Sequence, residues 1–554
     1  MYIDVSSQTK NGQTYQRVLL RESYRENGKV KKRTITNLGK CSKEEIKALK
    51  LAFQHKNNLT TIGSVEESIT LKQGSSVGAV LLVREICRKL GIITALGNSR
   101  QGKLALWQII ARVIDQGSRL SAVRFAASRA ACDLLNTETF HEEHLYDNLD
   151  WLHENQEKIE KKLFCQIYGK EKAELFLYDV TSSYLEGEQN ELGAFGYNRD
   201  KKRGKQQIVI GLLCDYAGMP LSIEVFPGNT IDTKTFANQI SKVIDRFGGK
   251  SVTFVGDRGM IKGPQIKELQ RYEDYDFHYI TAITKPQLKK LLKEDQIQLT
   301  LFDYGLGEIQ IDDGVRYVLR RNPERKMEIR QSREGKYQAL RVFVEKQNRY
   351  LAESPRAKLS VAKRKINEKS VKLKIDKWVI ISSCKRVVSL SKEMKQLQEE
   401  EKLDGCYVLK TDLPVEKISK EIVHSRYKDL ALVEWAFRTS KTVQLEMRPI
   451  NVRLKSRTHG HAFVVMLAYK VIRELAANWK SFNLTVEEGL QELDALCSTE
   501  IKIKDGKNFH RIPQPRQLSR QLLYAANVKL PSVLSNKGIV VVTKKKLQTK
   551  RKNL

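Results

Sequence analysis

The sequence lacks the features that mark several large classes of protein. No apolar run approaches the roughly 20 residues that a membrane-spanning helix needs. None of the eight cysteines forms a CxxC pair, which argues against a zinc ribbon and against a disulfide framework. The N-terminal residues MYIDVSSQTKNG contain no apolar signal-peptide core, so we expect a cytoplasmic protein with reduced thiols. No P-loop sequence is present, so ATP use is not indicated.

Acidic residues are too few to balance the basic ones. Lysine and arginine number 98 against 65 aspartates and glutamates, a formal net charge of +33 in 554 residues. Such an excess repels itself and usually has a polyanionic partner, with nucleic acid the leading candidate and a solvated basic surface the alternative. Hydrophobic residues make up 41% of the chain, which suits globular packing. The length exceeds one ordinary core, so we expect three or more structural units.

Residues 1–60 predict a small antiparallel sheet followed by a helix. Asn-Gly pairs at 11–12 and 27–28 separate alternating runs, and Asn-Gly supplies the positive φ angles of tight hairpin turns. Ser42 and Glu45 form a capping box that opens a helix through about residue 55. Residues 57–75 are polar and indicate a linker.

Residues 61–170 are predicted to form a helical domain. Apolar residues recur at helical spacing from about residue 76, and the first such run, AVLLVREICRKLG, ends on Gly91 as a C-cap. Arginine and lysine on the polar faces make this domain a candidate for DNA contact; a bundle that only packs on the next domain is the alternative. His141 and His144 have HxxH rather than HExxH spacing, which favours a polar helix start over a metal site.

The pattern changes at about residue 174 to that of an α/β layer. Short apolar runs within 171–283 predict three strands, a helix, a strand, a helix and a strand, which make a mixed sheet. GCYVLKTD at 405–412 indicates a return to this layer, and helices are predicted at 427–441 and 461–477. We therefore assign 171–283 and 404–480 to one domain.

Residues 284–403 interrupt that domain with a segment rich in lysine and arginine. QIQLTLF, GEIQIDDGVRYVLRR, YQALRVFVE and SVKLKIDKWVIIS have β-type character, and Asp313-Gly314 marks a hairpin turn. We predict a basic, β-rich insertion here. After the α/β domain, residues 481–554 are predicted to hold one more helix and a flexible lysine-rich end that binds phosphates nonspecifically.

Two aspartates close apolar runs of the α/β layer. Asp179 ends LFLY and Asp257 ends VTFVG, so each carboxylate is predicted to sit on a rigid strand end facing a cleft. Mg²⁺ prefers oxygen ligands, and two ions about 3.5–4 Å apart can activate water and stabilise a leaving 3′ oxygen. The alternative for either aspartate alone is a cap or turn residue, which is our interpretation of Asp215 in DYAGMP.

A third carboxylate belongs to a predicted helix of unusual composition. Helical spacing places four residues on one face: Tyr427, Leu430, Glu434 and Lys441. Two of these side chains are charged, which is unexpected for a face buried in a core. An exposed helix edge is the alternative, against which Trp435 and Phe437 argue because they are expected to pack the neighbouring faces.

These residues resemble the Y-(2)-R-(3)-E-(6)-K signature of one large group of insertion-sequence DDE transposases. Tyr427, Glu434 and Lys441 match the signature in type and spacing, while its arginine position is Leu430. YDVTSSY, GMPLSIEVFPGNTIDTKTF, FVGDRGM and MRPINVRLKSRTHGHAFVVMLAY are also similar to that group, so the resemblance covers about 171–480. The N-terminal hairpins are similar to one branch of it.

The resemblance implies a ribonuclease-H-like catalytic core with an insertion between the second aspartate and the glutamate. It implies that Asp179, Asp257 and Glu434 are catalytic and bind two Mg²⁺ or Mn²⁺ ions. It also implies that a tryptophan of the insertion, here Trp378, stacks a flipped base; a core tryptophan is the alternative.

The signature also implies a grip on a DNA phosphate near the transposon end. Because Tyr427 and Lys441 match the signature, the resemblance implies that both contact this phosphate. The apolar side chain of Leu430 cannot bind a phosphate as the arginine of the signature does. Arg438, Arg426 or Lys428 would have to make this contact from neighbouring turns.

The activity implied is that of a transposase acting on double-stranded DNA. It would bind terminal inverted repeats, nick the transposon ends and join the freed 3′-OH to target DNA, as a homodimer in the bacterial cytoplasm at the nucleoid. Two alternatives stay open. One is a metal-dependent nuclease on the same core, and the other is a catalytically decayed transposase that acts as a DNA-binding repressor.

Overall fold

The computed structural model shows an α/β protein built around one large mixed sheet. It describes residues 1–10, 13–57, 69–169, 174–197, 199–200, 202–303, 305–311, 314–442, 444–447, 450–503, 508–534, 539, 541–543 and 545. Strands in these ranges form four sheets, of three, eight, two and three strands. Within the same ranges, every helix is too short or too polar to cross a membrane.

The strands run in chain order from the N-terminal sheet to a C-terminal hairpin. They are β1 (Tyr2–Lys10), β2 (Gln13–Glu26), β3 (Lys29–Asn37), β4 (Ile69–Ser76), β5 (Leu175–Tyr184), β6 (Gln207–Asp215), β7 (Pro220–Pro227), β8 (Ser251–Gly256), β9 (Asp276–Ala282), β10 (Gly307–Gln310), β11 (Arg316–Arg321), β12 (Val379–Cys384), β13 (Val387–Lys392), β14 (Cys406–Thr411), β15 (Cys497–Ile503) and β16 (Asn508–Arg511).

The helices cover both faces of the large sheet and build most of the insertion. They are α1 (Lys43–Gln54), α2 (Gly78–Lys89), α3 (Ile92–Leu96), α4 (Arg100–Ile114), α5 (Arg119–Ala127), α6 (Ala131–Leu135), α7 (Glu142–Tyr168), α8 (Asp232–Phe247), α9 (Gly263–Gln270), α10 (Lys285–Lys293), α11 (Pro323–Glu353), α12 (Leu359–Leu373), α13 (Met394–Glu401), α14 (Lys420–Lys428), α15 (Leu430–Lys441), α16 (Lys455–Asn478), α17 (Val486–Asp494) and α18 (Gln517–Ala525).

The N-terminal region forms the predicted antiparallel sheet, in the order β1-β2-β3. Asn27 and Gly28 both have positive φ, at 50° and 77°, as the hairpin turn between β2 and β3 requires. The other Asn-Gly pair, 11–12, lies outside the described residues. The capping box is also confirmed, because Ser42 Oγ accepts from the backbone N–H of Glu45 while Glu45 Oε2 accepts from that of Ser42.

The helices expected between 76 and 170 are present and pack on the α/β layer. Helices α4 and α7 lie against α16, and all three contribute to one core with one face of the large sheet. Gly91 follows α2 with a φ of 74°, as the predicted end of that helix requires. His141 caps the start of α7 and its ring lies 3.6 Å from that of His144, so the polar helix start is confirmed.

The large sheet has the order β10-β11-β14-β9-β8-β5-β6-β7. Strands β5, β6 and β7 pair antiparallel, whereas β8 pairs parallel with both β5 and β9. The sequence of three strands, a helix, a strand, a helix and a strand is thereby confirmed, and β14 returns to the sheet beside β9 as expected. Strand β6 is buried along its whole length because helices cover both of its faces, which explains its continuous apolar run.

The prediction of a mainly β insertion is wrong. YQALRVFVE lies within the long helix α11, and SVKLKIDKWVIIS begins in α12 and ends in β12. QIQLTLF ends in a short 3₁₀ turn. Strands β10 and β11 extend the large sheet, which leaves the β12–β13 hairpin as the β part of the insertion among its described residues. Asp313 of the expected turn lies outside the described residues, while Gly314 has a φ of 79°.

Two further expectations at the domain edges need correction. The polar stretch assigned to a linker, 57–75, ends in strand β4, which pairs with β15 from the far end of the chain. The described residues after 481 form two helices, α17 and α18, rather than one, and also the β15–β16 hairpin. The pairing of β4 with β15 was missed because more than 400 residues separate the two strands, so no local pattern marks it. The lysine-rich end beyond residue 545 lies outside the described residues.

Candidate active site

Two neighbouring strands bring Asp179 and Asp257 to the same edge of the large sheet. The parallel register of β5 and β8 pairs Tyr178 with Gly256, so each aspartate comes one residue after a paired position. Asp179 is half-buried within β5, and Asp257 is exposed in the first position after β8. The expected strand-end placement is therefore confirmed for Asp257, whereas Asp179 lies in the middle of β5, which continues to Tyr184 in antiparallel pairing with β6.

The environment of Asp179 disfavours its charged form. The pKa of this carboxyl is raised from 3.8 to about 7, first because burial removes water and then because Asp257 and Glu434 add negative charge nearby. The backbone N–H of Val180, which donates to Asp179 Oδ1 at 2.8 Å, and the charge of Arg199 oppose that rise. Three carboxylates therefore share one electrostatic environment in the folded chain.

Asp257 is held by two donors. Its Oδ1 accepts from the backbone N–H of Arg258 at 2.8 Å and from the hydroxyl of Tyr427 at 3.3 Å. Burial, and then the charge and hydrogen bond of Asp257, raise the pKa of the Tyr427 phenol, which keeps it a proton donor at neutral pH. Tyr427 thus contacts the second aspartate directly.

The helix expected at 427–441 is broken in two. Tyr427 lies in the last turn of α14, and Glu434 lies in α15, which begins after Asp429. Leu430 is buried beside the cleft described below, and Glu434 is exposed. Of the two aromatic residues expected to pack the neighbouring faces, Phe437 is buried as predicted, whereas Trp435 is 45% exposed and touches Tyr469 only edge-on. Glu434 therefore stands on an exposed helix edge that faces the aspartates.

Lys441 is enclosed by the protein. Its side chain is 9% exposed, and its ammonium donates to Thr181 Oγ1 at 2.6 Å and to the carbonyl oxygen of Ser182. An ion pair at 3.3 Å joins it to Asp200, whose side chain is 6% exposed. The lysine of the signature thus connects the end of α15 to strand β5, two residues beyond Asp179.

One cleft contains all three carboxylates together with Tyr427 and Leu430. Four cationic side chains also line it: Arg258, Lys285, Arg325 and Lys428. Of these, only Lys428 was considered from the sequence. Arg258 had a signal that was overlooked, because it directly follows the second aspartate in FVGDRGM. Lys285 and Arg325 come from α10 and α11, and no local pattern indicates that these helices reach the cleft.

Two other residues singled out in the sequence lie elsewhere. Arg438 is exposed on α15, and the described residues that line the cleft do not include it. Trp378 is buried in the core of the insertion, where its ring lies 5.9 Å from that of Tyr337. This position is the one that the core alternative for Trp378 predicts.

The oxygen ligands of the cleft suit divalent metal ions, although the carboxylates are not gathered closely enough to coordinate an ion as they stand. Asp179, Asp257 and Glu434 offer carboxylate oxygens, which Mg²⁺ and Mn²⁺ prefer, and their mutual repulsion is what a bound cation would relieve. Within the described ranges, no three acidic, histidine or cysteine side chains are gathered closely enough to hold an ion as they stand.

Comparisons with known proteins identify the family of this chain. The family model described as IS1634 family transposase, N-terminal domain, matches residues 3–66, and the model described as Transposase DDE domain matches residues 170–470. No curated relative matches the chain. Among solved structures, the piggyBac transposase synaptic complex with hairpin DNA has a TM-score of 0.35 and 10% identity, over 71% of this chain and 69% of that one.

The Mos1 transposase paired-end complex with the left transposon end has a TM-score of 0.14 and 9% identity, over 30% of this chain and 58% of that one. The family assignment depends on the family models alone. Because the DDE model spans more than half of the chain, the chain belongs to the DDE transposases of insertion sequences, which are DNA-cleaving and strand-transferring enzymes that use divalent metal ions.

Proposed function

We propose that this transposase binds the terminal inverted repeats of its element, cleaves the transposon ends and joins the freed 3′-OH to target DNA. The observation that carries the proposal is the shared environment of Asp179, Asp257 and Glu434 in one cation-lined cleft. A mixed sheet in which an antiparallel strand trio continues into parallel strands, with the two aspartates on adjacent strands, supports a ribonuclease-H-like core.

Asp179, Asp257 and Glu434 are the residues that would hold two Mg²⁺ or Mn²⁺ ions. Such ions, when bound, supply activation of a water or a 3′-OH and stabilisation of the leaving oxygen. The chain's own contribution is to fix the carboxylates. Strands β5 and β8 hold the two aspartates in register, and Tyr427 orients Asp257 through its hydroxyl.

The partner is double-stranded DNA, both as transposon ends and as target. The net charge of +33 suits such a polyanion, and the four cleft cations place part of that charge beside the carboxylates. Two ends must be paired for transposition, so we propose a homodimer in the synaptic complex. The site of action is the bacterial cytoplasm, at the nucleoid.

The test uses duplex DNA that carries the inverted repeats flanking this coding sequence. Wild-type protein with Mn²⁺ should give nicked ends and, with a target plasmid, joined products. D179A, D257A and E434A should each abolish cleavage and still bind the ends. D245A, which removes an exposed carboxylate from α8, is the matched control and should cleave normally.

The same products separate the alternatives. Nicked ends without any joined product would support a metal-dependent nuclease. Sequence-specific binding without cleavage by the wild-type protein would support a repressor and contradict the proposed activity. Normal cleavage by one of the three alanine variants would remove that residue from the site.

A further inference from the structure

The signature lysine of this chain already has a full set of acceptors inside the protein. The Lys441 ammonium contacts Thr181 Oγ1, the carbonyl oxygen of Ser182 and the carboxylate of Asp200. Its side chain and that of Asp200 are both almost entirely removed from solvent. A DNA phosphate would have to displace Asp200 from this ammonium and separate a buried carboxylate from the charge of Lys441, leaving it the backbone N–H of Tyr184 as a neutral donor, which is strongly unfavourable.

The position of these bonds gives Lys441 a different task. Thr181 and Ser182 lie in β5 just beyond Asp179, while Lys441 lies on α15 two turns after Glu434. The bonds therefore join the strand that carries one metal ligand to the helix that carries another. Removing them is expected to loosen the position of Glu434 relative to Asp179 without touching either carboxylate.

All four cations that line the cleft are exposed. Lys285 belongs to α10 and adjoins neither an active-site carboxylate nor Tyr427 in the chain, whereas two of the other cations do. Arg258 follows Asp257, and its charge acts on the Tyr427 phenol, whose pKa it lowers against the larger opposing effects. Lys428 follows Tyr427 at the end of α14 and also lines the cleft. Both side chains are exposed. Arg325 also lines the cleft, but its guanidinium is paired with Glu328 at 2.6 Å.

We propose that Arg258 and Lys428 provide the phosphate contacts of this active site, and that Lys441 is a positioning residue which fixes α15 against β5. The proposal rests on the proposed function, since it assigns the grip on end DNA within that same cleft. It explains how a chain with leucine at position 430 can retain a phosphate grip: the cations come from the strand end and from the helix before the break.

Salt dependence of binding separates a phosphate contact from a structural one. Each phosphate contact contributes about 0.9 to the slope of log affinity against log salt concentration. The affinity for a labelled end duplex is measured by fluorescence, without metal, at several salt concentrations. R258Q and K428Q should each reduce the slope by about 0.9, the value of one phosphate contact, and K441M should leave the slope unchanged. K250Q, which removes an exposed lysine just before β8, at the opposite end of that strand from Asp257, is the matched control and should also leave it unchanged.

A second measurement tests the positioning role. K441M and D200N should both raise the Mn²⁺ concentration needed for half-maximal cleavage, and the double variant should be no worse than the worse single one because both remove the ion pair between Lys441 and Asp200. K441R keeps the charge but has a larger head than the enclosed site holds. It should raise the Mn²⁺ requirement as K441M does, whereas a phosphate contact would survive the exchange.

Three outcomes would overturn the inference. They are a lower salt slope for K441M, unchanged slopes for both R258Q and K428Q, and a normal Mn²⁺ requirement in K441R and D200N. If K441M does not fold, the positioning role is tested by K441R and D200N, and the phosphate contacts are tested by R258Q and K428Q. Failure of the proposed function is distinguishable, because it would appear in the wild-type protein, as missing cleavage or missing joined products, whereas failure of this inference appears in the variants alone.

Discussion

The hydroxyl of Tyr427 donates a hydrogen bond of 3.3 Å to Oδ1 of Asp257. This bond joins the last turn of α14, which carries the tyrosine of the signature, to Asp257, the residue that follows β8. The tyrosine of the signature thereby has a contact inside the site, independent of any contact that it makes with DNA.

Tyr427→Phe should reduce cleavage without abolishing it. One neutral-to-charged hydrogen bond contributes about 1–3 kcal/mol, and the bond here is long, so we expect a roughly fivefold to tenfold lower rate at saturating Mn²⁺. Asp257 keeps its bond from the backbone N–H of Arg258. Y216F, which removes an exposed hydroxyl from the turn before β7, is the control. A loss as complete as that of D257A would show that Tyr427 does more than orient Asp257.

The raised pKa of Asp179 predicts how stability depends on pH. Between its ordinary value of 3.8 and about 7, the folded metal-free chain keeps a proton that the unfolded chain has lost. Stability from this group is therefore greatest at low pH and falls as pH rises through that window. Asp179→Asn removes the titration, so in EDTA the variant should melt above wild type at pH 8, and the gap should close as pH falls towards 4.

Adding Mn²⁺ should reverse that order, because an ion that binds only the folded chain stabilises wild type by mass action and needs the ionised carboxylate. D245N, an exposed control on α8, should follow wild type throughout. A constant difference between D179N and wild type across the pH range would contradict the assignment of a raised pKa to Asp179.

The sequence predicted the strands that position the aspartates, because a strand can be recognised from a few consecutive residues. Apolar runs mark β5 and β8, and the parallel pairing of neighbouring strands then brings Asp179 and Asp257 together. The break at Asp429 was not predictable in this way, since the residues on either side continue the helical spacing. Asp200 as the partner of Lys441 was not predictable either, because 241 residues separate them and only the fold joins them.

The insertion was misread for a related reason. Helix α11 is largely exposed and buries only Leu340, Val344 and Leu351 among its described residues. So sparse an apolar stripe leaves a stretch such as YQALRVFVE with the alternating character of a strand. The spacings of 4 and 7 between those three residues are helical, and the lack of proline after Pro323 within α11 agrees with them.

Replacing Trp378 tests whether it is a core residue or a base-stacking one. W378A should lower the stability of the insertion by about 3–5 kcal/mol, as loss of a buried tryptophan does, and expose α11 to limited proteolysis. W378L keeps apolar volume but has no aromatic face, so a core role predicts nearly normal end cleavage. A stable W378L protein that binds ends but fails to process them would indicate stacking of a base.

Two helical glycines allow a matched test of the packing between the helical unit and the α/β domain. A Cβ at Gly460 in α16 would overlap the carbonyl oxygen of Leu149 in α7, whereas one at Gly335 in α11 would meet nothing within 4 Å. G460A should therefore destabilise the protein by about 1–3 kcal/mol through overpacking, measured by urea unfolding. G335A should instead stabilise α11 by up to about 1 kcal/mol, because alanine loses less backbone entropy in a helix. Equal effects at the two sites would contradict the close approach of α16 to α7.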